Sequence, residues 1–316
     1  MDNKITLQRL KTFFIYDSIK LLACVIGVVF FLVIVFNAIA KKPTSGQEYF
    51  VMVADNVYIG NDGYNFVHKV NGNEVDNYGF SYDILRVNNM VIDPTGYSSG
   101  YLMNTYAELN EDDVFIVADV EGSTMYDNYI NSYFAVGIND YIESALKYVT
   151  SNGFISETGV VNEEKIRSNF IKTRGEDTRF ETEKLFNEGL NNEINRIKAI
   201  YKNANILKQV LLNHPELYHE TEKIIYNNEV IYEGVFGLKL SALPGKGDNK
   251  ITNMYYRAIT VDANAGIVDY TAEGIVLLVG NNYSSEGDLF FENLAYINSL
   301  INTYSSFIDE LDPTYV

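Results

Sequence analysis

The chain has 316 residues, of which 47% are hydrophobic and five are proline, so it can bury a sizeable core and is not a disordered linker. Lysine and arginine number 24 against 42 aspartate and glutamate, and this acidity argues against nucleic-acid binding. One cysteine and three histidines cannot form an internal disulfide or a Cys/His zinc cage. We therefore expect an acidic globular protein with no nucleic-acid partner, no metal site and no cofactor.

The amino-terminal region is strongly apolar. Residues 21–40 contain no charged side chain, and at ~1.5 Å per residue a helix of this length spans the ~30 Å hydrocarbon core of a bilayer. Four basic residues precede this run and two follow it: Lys4, Arg9, Lys11 and Lys20, then Lys41 and Lys42. The positive-inside bias therefore predicts a single-pass cell-membrane protein with a cytoplasmic amino terminus and an extracellular carboxyl-terminal domain.

The predicted division of the chain follows from this helix. We expect a cytoplasmic segment at 1–20, a transmembrane helix at 21–40 in contact with the lipid bilayer, a short tether at 41–48, and an extracellular domain at 49–316. Ala38-Ile39-Ala40 also has the small-x-small pattern of a signal-peptide cleavage site, but the apolar run exceeds the usual 7–15 residues of a removable signal. An uncleaved anchor is the prediction, and cleavage after Ala40 stays open.

The domain after the tether carries mixed α/β patterns. Two fully apolar runs, residues 114–118 and 275–280, are typical of strands buried on both faces of a helix-covered sheet. Further strands are predicted at 49–59, 64–70, 78–87, 223–226, 230–240 and 254–261. Helices are predicted at 98–109 and 286–311, and throughout a helical insertion at about 139–215, where Asn139, Asn162 and Thr178 are candidate N-caps. Because α/β material lies on both sides of this insertion, we expect a two-lobed α/β architecture.

The segment 102–119, predicted as a helix, an acidic loop and a buried strand, resembles the corresponding part of extracellular solute-binding proteins of bacterial ABC importers. Residues 162–215 are similar to a segment of membrane-anchored relatives from low-GC Gram-positive bacteria, and Val235-Phe236-Gly237-Leu238-Lys239-Leu240 is similar to the crossover between lobes. The resemblance implies a type 2 periplasmic-binding-protein-like fold. It also implies closure of two lobes on a solute that is presented to an ABC permease.

Enzyme signatures do not occur in the sequence. There is no Gly-x-Ser-x-Gly, Gly-x-Gly-x-x-Gly or Walker A motif, and the segment 214–220 has the residue types of a zinc protease in the wrong order. Residues 262–273 imitate a calcium loop but have Ile267 where glycine is required. We therefore expect no catalytic activity.

The candidate ligand residues come from composition and topology. The chain has 25 tyrosines, which suit recognition of a saccharide or a peptide, although AT-rich coding would enrich tyrosine equally. In open α/β sheets, ligands bind beyond the carboxyl ends of strands. The loops after the two buried strands therefore supply the predicted ligand-binding residues: Asp119, Glu121, Tyr126, Tyr129, Asn281, Asn282 and Tyr283.

The resulting hypothesis is a membrane-anchored, non-catalytic solute-binding-like protein that presents a small polar ligand to an ABC permease. The alternative is a structural or assembly subunit of a cell-envelope complex, with the same fold and a degenerate, ligand-free cleft.

Overall fold

The computed structural model describes residues 6–8, 11, 13, 18–39, 48–71, 86–92, 99–108, 113–132, 134–175, 180–226, 229–262, 266–281 and 291–312. The chain divides into two compact units, Met1–Pro43 and Thr44–Val316.

The first unit contains helix α1 (Ser18–Ile39). Among the described residues, no helix is both long enough and apolar enough to cross a membrane. This finding contradicts the predicted transmembrane helix at 21–40. It equally contradicts the single-pass placement with a cytoplasmic amino terminus and an extracellular domain.

The second unit contains seven described helices and ten described strands. In chain order these are β1 (Glu48–Val53), β2 (Val57–Ile59), α2 (Asn61–Asn71), β3 (Arg86–Val91), α3 (Ser99–Glu108), β4 (Val114–Ala118), α4 (Met125–Asn131), β5 (Ala135–Val136), α5 (Ile138–Ser151), α6 (Glu163–Arg174), α7 (Glu183–Asn213), β6 (Tyr218–Tyr226), β7 (Glu229–Lys239), β8 (Tyr255–Asp262), β9 (Ile267–Thr271), β10 (Ile275–Gly280) and α8 (Glu292–Tyr304).

Two sheets organise these elements. The main sheet has the order β3-β1-β4-β10-β7-β6, with β5 also paired to β10, and the small sheet has the order β2-β8-β9. In the main sheet β3, β1 and β4 run parallel, whereas β10 runs antiparallel to both β4 and β7, and β6 runs antiparallel to β7. The carboxyl ends of β1, β3, β4 and β7 therefore lie at the same edge as the amino ends of β10 and β6.

The central strands β1, β4 and β10 of the main sheet are buried on both faces, as the apolar runs predict for β4 and β10. Successive side chains of a strand point to opposite faces. Accordingly, Val114 and Ile116 of β4 belong to one hydrophobic cluster with residues of α5, α7 and α8. Phe115 and Val117 belong to a second cluster, with Met103 of α3 and residues of α4. The sheet is thus the middle layer between two groups of helices.

The predicted two-lobed fold is wrong. Residues 44–316 form one compact unit, because strands from before and after the helical segment pair within a single sheet: β4 precedes the segment and β10 follows it, and the two strands are direct neighbours. The described residues therefore form a mixed α/β fold of eight helices and two sheets.

One predicted strand is a helix. Residues 64–70 lie within α2, although Tyr, Phe and Val favour strands by propensity. The first turn of α2 is held by a distant contact, since the Tyr304 hydroxyl donates to Asp62 Oδ2 at 2.8 Å. The tertiary environment thus overrides local propensity.

Two of the three candidate N-caps are tested by the structure. Asn162 Oδ1 accepts from Lys165 N at 3.1 Å and caps α6, as predicted. The N-cap of α5 is Gly137 instead of Asn139. Thr178 lies outside the described residues, and α7 is capped by Thr182, whose hydroxyl accepts from Leu185 N at 3.3 Å.

Candidate functional site

The topology places one switch point in the main sheet. From β1 the chain returns as β3 on one side of β1 and then as β4 on the other side. In open sheets of this kind, ligands bind in the crevice beyond the carboxyl ends of the two strands where the direction changes. A ligand site is therefore expected among the residues that follow β1 and β4.

A carboxylate of the chain itself lies at this crevice. Asp55 follows β1 with a φ of 55° and is only 5% exposed. Its Oδ2 accepts the backbone N–H of Met125, the first residue of α4, at 3.0 Å. Burial raises the pKa of Asp55, although hydrogen bonds from the N–H groups of Met125, Tyr126 and Thr124 act in the opposite direction. The Asp55 carboxylate thus takes the place at the amino terminus of α4 that an anionic ligand could otherwise occupy.

The two predicted tyrosines of this loop are core residues. Tyr126 is 3% exposed and Tyr129 is fully buried. The ring of Tyr126 meets the His219 ring edge-on with centroids 5.2 Å apart, and the ring of Tyr129 lies 4.5 Å from that of Phe115. Both rings are therefore used for packing, Tyr126 beside His219 and Tyr129 against Phe115, and are not open to a ligand.

The other predicted ligand residues are divided between opposite edges. Asp119 and Glu121 are exposed and lie at the carboxyl end of β4. Asn281 follows β10, which runs antiparallel to β4, so it lies at the far edge of the sheet, where its N–H donates to the Phe134 carbonyl at 2.7 Å. Asn282 and Tyr283 lie outside the described residues. The structure therefore brings Tyr126 to the side of Asp119, since the Tyr126 ring meets His219, the partner of Asp119. It brings Tyr129 to the side of Asn281, since Tyr129 packs against Phe134, whose carbonyl accepts from Asn281.

Asp119 has a partner that sequence reasoning missed. Its Oδ2 lies 2.8 Å from Nε2 of His219, the second residue of β6, and the imidazole is 14% exposed. Burial lowers the pKa of His219, opposed by the hydrogen bond and negative charge of Asp119 and reinforced by the positive charge of Lys239. The sequence carries no signal for this pair, because the two residues are 100 positions apart and meet only through the pairing of β4, β10, β7 and β6.

The chemistry of the pair follows from the protonation state of His219. A neutral imidazole that donates from Nε2 to a carboxylate leaves Nδ1 as an acceptor. Within the described part of the chain, Nδ1 of His219 makes no hydrogen bond. The hydroxyl of Ser123, in the loop that follows β4, is engaged with the backbone of Val120, from which it accepts at 3.1 Å and to which it donates at 2.8 Å. The edge thus offers a hydrogen-bond acceptor at Nδ1 of His219.

No metal centre is found among the described residues, since no three His, Cys, Asp or Glu side chains converge there.

A cleft of about 820 Å³ lies between the end of α5 and the start of α6. It is lined by hydroxyls and carboxylates over an apolar base: Thr150, Ser151, Ser156, Glu157, Asn162, Glu163 and Glu164, with Ile155, Val160 and Val161. Glu163 pairs with Lys198 at 3.4 Å. The cleft lies at the end of two helices and is distant in sequence from the predicted ligand residues.

The small sheet carries an exposed row of tyrosines. Tyr58 of β2 lies directly opposite Tyr256 of β8, and Tyr270 of β9 lies opposite Ala258, two positions along the same face. The ring centroids are 5.6 Å apart for Tyr58 and Tyr256, and 5.0 Å apart for Tyr256 and Tyr270. Tyr58 is 45% exposed and Tyr270 is 61% exposed. We call this row the tyrosine ladder.

Apolar side chains extend the exposed surface beyond the tyrosine ladder. Val268 of β9 shares the face of Tyr270, while Ile259 and Ile267 lie on the opposite face, and all three are exposed. Every residue of β9 is at least partly exposed. A large exposed apolar surface on a folded domain is typical of a site that binds another molecule. Sequence reasoning missed this surface because a tyrosine count does not distinguish buried from exposed rings.

Comparison of the chain with family models, with curated proteins and with solved structures finds no match. The resemblance to solute-binding proteins therefore stays a prediction, and the function must be argued from the geometry alone.

Proposed function

We propose that this protein acts without catalysis, by binding another macromolecule through the tyrosine ladder and the strand β9. The observation that carries the proposal is the exposure of Tyr58, Tyr270 and Val268 on one face of a three-stranded sheet. Tyrosine is enriched at interfaces because it offers a flat apolar ring and a polar hydroxyl at small cost in side-chain entropy.

The state of the switch-point crevice supports the same conclusion. Asp55 occupies the start of α4, and the buried ring of Tyr126 packs against His219. A crevice filled by the protein's own side chains favours an assembly or scaffold role over uptake of a solute, since a solute would have to displace satisfied groups.

Site-specific photo-crosslinking in the native host tests the proposal. The photoreactive residue p-benzoylphenylalanine replaces Tyr270 in the full chain, and a matched variant carries it at Tyr101, which is 74% exposed on α3. We expect a discrete crosslinked product from position 270 and none from position 101. Mass spectrometry then identifies the partner. Equal labelling at both positions, or none at 270 in a folded variant, would refute the proposal.

A second candidate function rests on His219. The unengaged Nδ1 beside the exposed Asp119 carboxylate suits hydrogen bonding to a small polar ligand such as a saccharide or an amino acid. Thermal-shift measurements with saccharides, amino acids and short peptides test it, since a ligand at ~100 times its Kd adds about 2.7 kcal/mol of stability. A shift that the variant His219→Gln abolishes supports this candidate. The absence of any shift contradicts it.

A further inference from the structure

We propose that the partner bound by the small sheet is an extended, positively charged peptide segment that adds to β9 as a further strand. This inference rests on the proposed function above and specifies the chemistry of the partner. Addition of a strand to an exposed sheet edge uses main-chain hydrogen bonds for affinity and alternate side chains for specificity.

The strand β9 is the last strand in the order of the small sheet. Among the described strands it pairs with β8 alone, and each of its residues is exposed or partly exposed. Proteins usually blunt such an edge with lysine, proline or a very short strand. The strand β9 is Ile-Val-Asp-Tyr-Thr, contains neither lysine nor proline, and has a regular register with β8 from Val268 to Thr271.

Both faces of β9 offer contacts to an added strand. Val268 and Tyr270 point to the face of the tyrosine ladder, and Ile267 and Asp269 point to the other face. Alternate side chains of an added strand would lie beside these two sets. Apolar or aliphatic positions in the partner are therefore expected next to Tyr270.

Charge distinguishes the partner from a second copy of this chain. The only charged residue of β9 is Asp269, whose Oδ1 accepts the Tyr270 N–H at 2.8 Å, and the whole chain has a net charge of −18. If two copies paired through antiparallel β9 strands centred on this residue, Asp269 would face its own counterpart, and directly opposed like charges are destabilising. A lysine or arginine at that position would instead complement Asp269.

Short capped peptides test the inference with the full chain. One peptide alternates valine and lysine, and a matched peptide alternates valine and glutamate. We expect saturable binding of the lysine peptide by calorimetry, at least about tenfold tighter than the glutamate peptide, with slowed hydrogen exchange of the amides of residues 267–271. Equal affinity for both peptides, or slowed exchange elsewhere only, would overturn the inference.

Further arms separate strand addition from general attraction to an acidic protein. A lysine peptide that is N-methylated at every backbone amide keeps its charge but has no N–H group to donate to β9, so we expect its binding to be lost. The variant Tyr270→Ser should weaken binding of the lysine peptide, whereas Tyr101→Ser should not. Undiminished binding of the N-methylated peptide, or of Tyr270→Ser, would contradict strand addition.

The outcomes also separate this inference from the proposed function. A crosslinked partner at position 270 combined with no binding of the lysine peptide would leave the proposed function intact and refute the basic strand. A dimer seen by sedimentation velocity in the absence of peptide, and abolished by Tyr270→Ser, would assign the edge to a second copy and also refute it.

Discussion

The two sheets of this protein use the same residue types in opposite ways. Beside the main sheet, Tyr126 is buried against His219 and Asp55 is buried and accepts a hydrogen bond from Met125 N–H. In the small sheet the tyrosines stand on an exposed face. The strand β8 contains both kinds: Tyr255 is fully buried and its hydroxyl lies 2.5 Å from that of Tyr296, whereas Tyr256 belongs to the exposed tyrosine ladder.

The difference shows which region is built for stability and which for contact. Satisfied polar groups under the main sheet specify one packing arrangement, and the removal of one partner leaves the other buried and unpaired. The small sheet buries Val57, Ile59 and Tyr255 in the core, but the rings of its tyrosine ladder are at least partly exposed. Substitutions should therefore separate the two regions by the size of their effect on the free energy of unfolding.

The largest effect is expected in the helical layer over the main sheet, at the ion pair of Glu193 and Arg196 on α7. Two hydrogen bonds of 2.8 and 2.9 Å join the side chains, each 12% exposed. Burial alone would raise the pKa of Glu193, but the charge and hydrogen bonds of Arg196 outweigh it and lower that pKa. Arg196→Met leaves a buried carboxylate unpaired, so we expect a loss of about 3–5 kcal/mol in urea unfolding.

The matched control for this prediction lies on the same helix. Lys184 and Glu188 form an exposed pair at 3.8 Å, and an exposed pair contributes about 0–1 kcal/mol. Lys184→Met should therefore change stability little. A similar small effect of Arg196→Met would show that the buried pair is solvated.

The second effect is expected at the filled crevice. Asp55→Gly keeps the positive φ accessible but removes the acceptor of the Met125 N–H, so we expect a loss of about 1–3 kcal/mol in urea unfolding. Asp55→Asn retains a side-chain oxygen and tolerates the same φ, and its loss should be smaller. If both variants unfold like the original protein, the carboxylate does not hold the crevice closed.

Sequence patterns predicted the core of the fold because burial on both faces has a local signature. The apolar runs predicted the positions of β4 and β10. Asn162, followed by acidic residues in the first turn, predicted the start of α6. The pairing of β10 between β4 and β7 has no local signature, since it depends on contacts across the helical segment. The two-lobed prediction failed at this point.

The candidate site was predicted in part for the same reason. Asp119 was found because it directly follows a recognisable strand. His219 was missed as its partner because the pair forms across three further strand pairings, and Asn281 was grouped with Asp119 because the antiparallel direction of β10 could not be inferred. Tyr126 and Tyr270 look alike in sequence, and only their surroundings distinguish a packing ring from a surface ring.

A third prediction concerns pH at the main-sheet edge. Because burial lowers the pKa of His219 in the folded protein, the unfolded chain binds a proton more readily, and stability should fall as pH drops below about 6.5. Thermal unfolding from neutral to mildly acidic pH should show this slope in the original protein and a shallower slope in His219→Gln. Asp119→Asn removes the group that favours the protonated imidazole, so its slope should be steeper. Identical slopes in all three proteins would place the origin of any acid sensitivity elsewhere.

The smallest effect on stability is expected on the exposed ladder. Tyr270 is 61% exposed, and surface substitutions away from special features usually stay within about 0.5 kcal/mol, so Tyr270→Ser should unfold in urea almost like the original protein. Tyr255→Phe, in the neighbouring strand but facing inward, removes the buried hydrogen bond between the Tyr255 and Tyr296 hydroxyls and should cost about 1 kcal/mol. A large loss in Tyr270→Ser would mean that the small sheet needs the ladder for folding. A small loss of stability in Tyr270→Ser, combined with impaired crosslinking or peptide binding, would mean that the ladder serves a partner. The fold itself would then give no reason for a tyrosine at this position.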